Sequence, residues 1–223
     1  EFNDKILLGN SYFYRGLLNR KNKNPIQAIE DFEIASKLFQ NRLIARVIET
    51  KIEIAISYIE NEKTEVAVEL LEEIVKNFQK DLFKNYMSLA LSILYAVNHE
   101  YKSNLYSLQD LIDIYLNGES FKNGYRVAYY LFKSADNNKL KSAQQIANYA
   151  LIEIENISEN IEDEKTKKMF LDNSIEYKYF IEAKIIKKEN SEIKKVYKFC
   201  PECGFKNKNL FMFCPECGSS LKL

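Results

Sequence analysis

Four cysteines, at positions 200, 203, 214 and 217, close a 223-residue chain whose first 199 residues contain none. They stand in two matching strings, Phe199-Cys-Pro-Glu-Cys-Gly and Phe213-Cys-Pro-Glu-Cys-Gly, with ten residues between Cys203 and Cys214. Two residues between cysteines let both thiolates leave the same side of a tight turn. Proline stiffens that turn, and glycine supplies the positive φ that turns backbone amides toward the sulfurs. Cys200, Cys203, Cys214 and Cys217 therefore predict a tetrahedral thiolate cage for one zinc ion per chain. All four positions are filled by protein, so the metal is structural, and iron fits the same cage. A segment of about 25 residues cannot bury enough surface to fold unaided, and metal binding supplies the difference, on the order of 10 kcal/mol. A secreted disulfide framework spreads its cysteines through the fold, so this clustering points to a reduced, cytoplasmic setting.

The rest of the chain reads as helix. Glycine (6) and proline (3) are scarce, and without them a chain has few of the tight turns that β-rich folds need. Apolar residues recur at helical spacing, predicting helices over 4–19, 24–40, 42–61, 64–80, 82–98, 104–117, 122–136, 139–157 and 161–189. Asn24-Pro25 supplies a start signal and Asn117-Gly118 a left-handed stop.

Within these helices a pattern repeats. Tyr12 and Gly16 lead to Ala28, Phe32 and Ala35; Ala55 and Tyr58 lead to Ala67, Leu71 and Ile74, displaced by 39 residues from Ala28 to Ala67. Small residues at such spacing let two helices cross closely while larger ones fill the next layer. A third copy, Tyr115, Gly118, Ala128, Phe132 and Ala135, keeps the Ala-x3-Phe-x2-Ala triad, and Ala143, Ile146 and Ala147 begin another. The first two copies resemble tetratricopeptide repeats and the third a Sel-like repeat. The resemblance implies an all-α fold, an antiparallel helix-pair solenoid over 1–190. It is tetratricopeptide-like over 4–80, with an extra helix at 82–98, Sel-like repeats over 104–157 and a terminal helix at 161–189. A zinc ribbon follows at 196–223, similar to the rubredoxin-like modules that close many bacterial proteins, among them a lipopolysaccharide-assembly regulator that acts as an adaptor.

Function classes are narrowed by what the chain carries. Lys plus Arg equals Asp plus Glu at 32 each, so no global field favours nucleic acid or an anionic membrane. No apolar run reaches the about 18 residues of a membrane span, and Tyr86–Val97 is too short. His99 is the single histidine, and no phosphate loop or nucleophile elbow appears, so no enzyme is expected. The resemblance instead implies a protein or peptide ligand in a groove near Tyr12, Tyr58 and Tyr115. Phe13, Leu17 and Glu53 stand where a carboxylate clamp would need Lys or Asn. Nucleic acid is the alternative partner: Lys184, Lys187, Lys188, Lys194, Lys195 and Lys198 precede the cysteines, and Lys206 and Lys208 lie between the pairs. Glu189 and Glu192 interrupt that run, which reads first as a solvated helix end.

Overall fold

Repetitive turn chemistry sets the architecture. The computed structural model describes residues 2–40, 43–78, 83–118 and 124–182. Among them ten helices form and no strand. No helix among the described residues is long and apolar enough to cross a membrane. The chain divides into two compact units with the boundary between Ser103 and Asn104.

The first unit holds α1 (Phe2–Lys21), α2 (Pro25–Phe39), α3 (Ile44–Glu60), α4 (Thr64–Asn77) and α5 (Lys84–Val97). Its tight corners are built alike. After α1, Lys23 takes the left-handed conformation at φ 60°, and the Asn24 amide bonds back to the Asn19 carbonyl at 2.9 Å. After α3, Glu62 does the same at φ 58°, with the Lys63 amide on the Tyr58 carbonyl at 2.9 Å. These are six-to-one closures that satisfy the last carbonyls of a helix. The two corners are 39 residues apart, the offset the alanines predict.

Close packing follows from the glycines. A Cβ at Gly16 would lie 2.7 Å from the Phe32 ring and one at Gly9 2.6 Å from the Phe39 ring. Only glycine admits the rings at those points, and the pairing of 16 with 32 and 9 with 39 makes α1 and α2 antiparallel. Ala28, Phe32, Ala35 and Phe39 are wholly buried there. Further along, Asn10 meets Arg46 and Arg20 meets Glu53, so α3 runs parallel to α1. Helix α5 buries residues around its whole girth, from Met87 through Tyr95.

The second unit holds α6 (Leu108–Leu116), α7 (Gly124–Asn137), α8 (Ser142–Glu159), α9 (Glu164–Asn173) and α10 (Ile175–Glu182). Helix α6 begins four residues later than the periodicity predicts, because Ser107 and Asp110 form a reciprocal capping box (3.1 and 2.8 Å). The corner after α7 repeats the closure of the first unit: Lys139 has φ 56° and the Leu140 amide reaches the Ala135 carbonyl at 2.8 Å. The predicted helix at 161–189 is corrected: it breaks at Ser174. There the Ser174 hydroxyl accepts the Tyr177 amide at 3.1 Å and starts α10, while Asp163 caps α9 through Thr166 at 2.6 Å. Phe180 on α10 is fully buried, its ring edge-on to Phe132 of α7 at 5.8 Å.

Candidate functional site

The three tyrosines expected to line a groove, Tyr12, Tyr58 and Tyr115, separate into two groups. Tyr12 and Tyr58 are half-buried against one cluster, formed by Phe13, Ala28, Ile29, Phe32, Ala35, Phe39 and Ile54. Each keeps part of its ring at the surface while the rest is anchored in the core. That is the amphipathic placement by which a tyrosine offers apolar area and a hydroxyl together. Tyr115 lies in the other unit and is 2% exposed. Its hydroxyl donates to Glu153 at 3.1 Å and its ring meets Tyr149 edge-on at 5.2 Å. A side chain so enclosed presents no face to a ligand, and Tyr115 is a core residue.

Charged groups surround Tyr12 in a way the periodicity did not indicate. The Arg15 guanidinium stacks over the Tyr12 ring at 4.7 Å and grips the buried Asp31 carboxylate through Nε at 3.0 and 3.1 Å. Asn19 Nδ2 adds a bond to Asp31 at 2.8 Å. Arg15 is 58% exposed while Asp31 is fully buried, so the arginine links the core to solvent beside Tyr12. Arg46 lies over the rings of Phe13 (4.2 Å) and Phe39 (5.1 Å) and bonds Asn10 at 2.8 Å and Glu49 at 2.6 Å. On α3 the buried Glu53 is held by Arg20, which also lies 3.6 Å from Glu60. Burial pushes the Glu60 carboxyl above its ordinary value; Arg20 pulls it down and Glu53 raises it further. Glu53, expected at a ligand-facing position, is therefore a structural charge.

In the second unit, Glu153 has the same character. Burial raises its carboxyl above the ordinary value, opposed by hydrogen bonds from the Tyr115 hydroxyl and the backbone amides of Tyr125 and Gly124. A carboxylate from α8 thus caps the start of α7, and a Cβ at Gly124 would lie 2.7 Å from its Oε1. The folded state holds the Glu153 proton more tightly than the unfolded chain. Its contribution is full below the unfolded value and is lost as pH rises through the folded one. Glu153→Gln should flatten the fall in protection of residues 124–159 between about pH 4 and pH 8. Amide hydrogen exchange across that range checks it, and an unchanged pH profile in the variant would rule it out.

Other candidates carry less chemistry. Lys133 lies over Tyr129 (4.5 Å) and Tyr179 (5.6 Å), so an internal cation already occupies that aromatic pair. A cleft of about 400 Å³ is lined by Tyr125, Thr166, Met169, Phe170, Asn173, Ser174 and Glu176. Its Ser174 hydroxyl accepts the Tyr177 amide at the start of α10 and donates to the Glu176 carboxylate at 3.3 Å. No group of three or more His, Cys, Asp or Glu side chains gathers among the described residues. The four cysteines at 200, 203, 214 and 217, and the lysines from 184 to 208, lie outside the described residues. No family model matches the sequence, and neither does any curated protein or solved structure.

Proposed function

We propose that this chain is a non-catalytic protein-interaction adaptor: a tetratricopeptide-like array that holds a protein or peptide ligand, closed by a structural zinc ribbon. The observation that carries the reading is the pair of helical hairpins α1–α2 and α3–α4, set 39 residues apart with matching left-handed corners at Lys23 and Glu62. Hairpins stacked at a fixed offset expose a continuous surface, and that surface is what such arrays use for binding. On this reading Tyr12, with Arg15 stacked on it, and Tyr58 form the contact surface. The ring and guanidinium together suit a peptide bearing an apolar side chain next to an acidic one. The zinc reading rests on the donor set: four thiolates in two Cys-x2-Cys-Gly turns fit Zn²⁺ held by Cys200, Cys203, Cys214 and Cys217.

Two measurements test the proposal. Elemental analysis of freshly purified, reduced protein should find one zinc per chain, lost in Cys200→Ser with the helical circular dichroism kept; absence of any transition metal would sink the ribbon. For binding, Tyr12→Glu and Tyr58→Glu should abolish capture of the ligand identified by cross-linking, with little change in thermal stability because both rings are only half-buried. If those variants bind normally and charge reversal of Lys194, Lys195 and Lys198 removes binding instead, the lysines make the contact and a nucleic-acid partner takes precedence.

A further inference from the structure

Helix α1 is apolar on two opposite faces. One carries Gly9, Phe13 and Gly16 and is buried; Phe32 and Phe39 of α2 press on its glycines. The other carries Leu7, Ser11, Tyr14 and Leu18, at steps of four, three and four residues, the seam spacing of a two-helix coiled coil. Leu7, Tyr14 and Leu18 are 63%, 59% and 60% exposed, and Leu8 beside them is 48% exposed. The corresponding sector of α3, 39 residues on, is covered. Thr50, Glu53 and Ser57, the counterparts of Ser11, Tyr14 and Leu18, are buried. Arg20 of α1 reaches Glu53, and Arg46, the counterpart of Leu7, meets Asn10, Phe13 and Phe39. A preceding hairpin therefore covers this sector on α3. On α1 it is exposed and apolar among the described residues.

We infer that this stripe is a homodimer seam, on which α1 of a second copy packs antiparallel across a two-fold axis. The helix is self-complementary in that orientation. Setting Leu7 against Leu18 of the second copy also sets Ser11 against Tyr14 and Asp4 against Lys21. Large then faces small at the centre, leucine faces leucine on either side, and opposite charges close both ends. The helix dipoles also oppose favourably. A parallel pairing would set Tyr14 on Tyr14 and stack Asp4 on Asp4 and Lys21 on Lys21. A two-fold contact uses the same patch on both copies, which this register satisfies. A single-helix seam about 30 Å long is small for a specific interface, so the dimer dissociates in the micromolar range.

Sedimentation velocity of the full chain from about 1 to 500 µM reads this directly. A concentration-dependent monomer–dimer equilibrium is expected. Leu18→Glu should weaken it at least about tenfold with unchanged helical circular dichroism, because Leu18 is exposed within one copy. For the register, Leu7→Cys combined with Leu18→Cys should form an intermolecular disulfide under mild oxidation, while each single variant and the unaltered chain should not. A chain that stays monomeric throughout, a dimer indifferent to Leu18→Glu, or cross-linking through the single variants would each overturn the seam.

Discussion

Arg20→Ala should destabilise the first helical unit by about 3–5 kcal/mol, the cost of stranding a buried charge rather than of losing a contact. The Glu53 side chain is 2% exposed and faces Arg20, whose own side chain is 17% exposed. Glu60 lies on the far side of the same guanidinium, and its carboxyl is already raised by burial and by Glu53. Removing the cation strands the buried Glu53 carboxylate beside that of Glu60, whose side chain is 39% exposed. Two features separate this from simple loss of packing. The deficit should shrink in acid, because the Glu60 carboxyl, already raised by burial and by Glu53, takes up a proton there and relieves the repulsion between the two carboxylates. Arg20→Ala combined with Glu53→Gln should recover most of the loss at neutral pH. Urea denaturation at about pH 4.5 and pH 7.5 gives both comparisons. An equal penalty at the two pH values would show that Arg20 acts through its stem alone.

The same pair marks where sequence reasoning reaches its range. Periodicity places eight helices within a few residues of those observed over the described chain and merges α9 and α10 into one, because the apolar face of each helix is a local property. The 39-residue offset was legible for the same reason, and it appears again in corners at Lys23 and Glu62, positions where neither residue type announces a left-handed turn. Ser174 escaped notice because Ser-x2-Tyr is a common string, and only its hydroxyl's bond to the Tyr177 amide makes it a boundary. Asp31, Glu53 and Tyr115 are buried by partners 16, 33 and 38 residues away. Charge and hydroxyl rank such residues as surface, and nothing local says that Arg15, Arg20 and Glu153 wait for them. That is why Tyr115 reads as a groove residue from sequence yet is buried, while Tyr12 and Tyr58 keep a surface. The proposed metal site is the opposite case: its four cysteines are so close in sequence that spacing carries nearly all the information, and they lie outside the described residues.

Ala28→Phe should cost about 3 kcal/mol or more, and Ala128→Phe a similar amount in the other unit, through overpacking at close helix crossings. Both alanines have no exposed surface. Ala28 belongs to the same buried cluster as Phe13 and Phe32, whose rings are already 5.6 Å apart, and Phe32 follows it by one turn on α2. Phe32 and Phe39 cannot yield toward α1, where they press on Gly16 and Gly9 at distances that exclude even a methyl group. A new ring at position 28 must therefore separate α1 from α2, exposing the cluster that anchors Tyr12 and Tyr58. Ala128 sits beside Phe132 and Leu131, both buried, on the α7 face that also carries Val127 and Ala135. Glu30→Gln, two residues from Ala28 and exposed, should stay within about 0.5 kcal/mol of the unaltered chain. Chemical denaturation followed by helical circular dichroism, with hydrogen exchange to assign the loss to one unit, measures the series. If position 28 accepts phenylalanine without loss, the crossing is looser than the glycine contacts require, and the 39-residue register would have to be redrawn from a different pair of small residues.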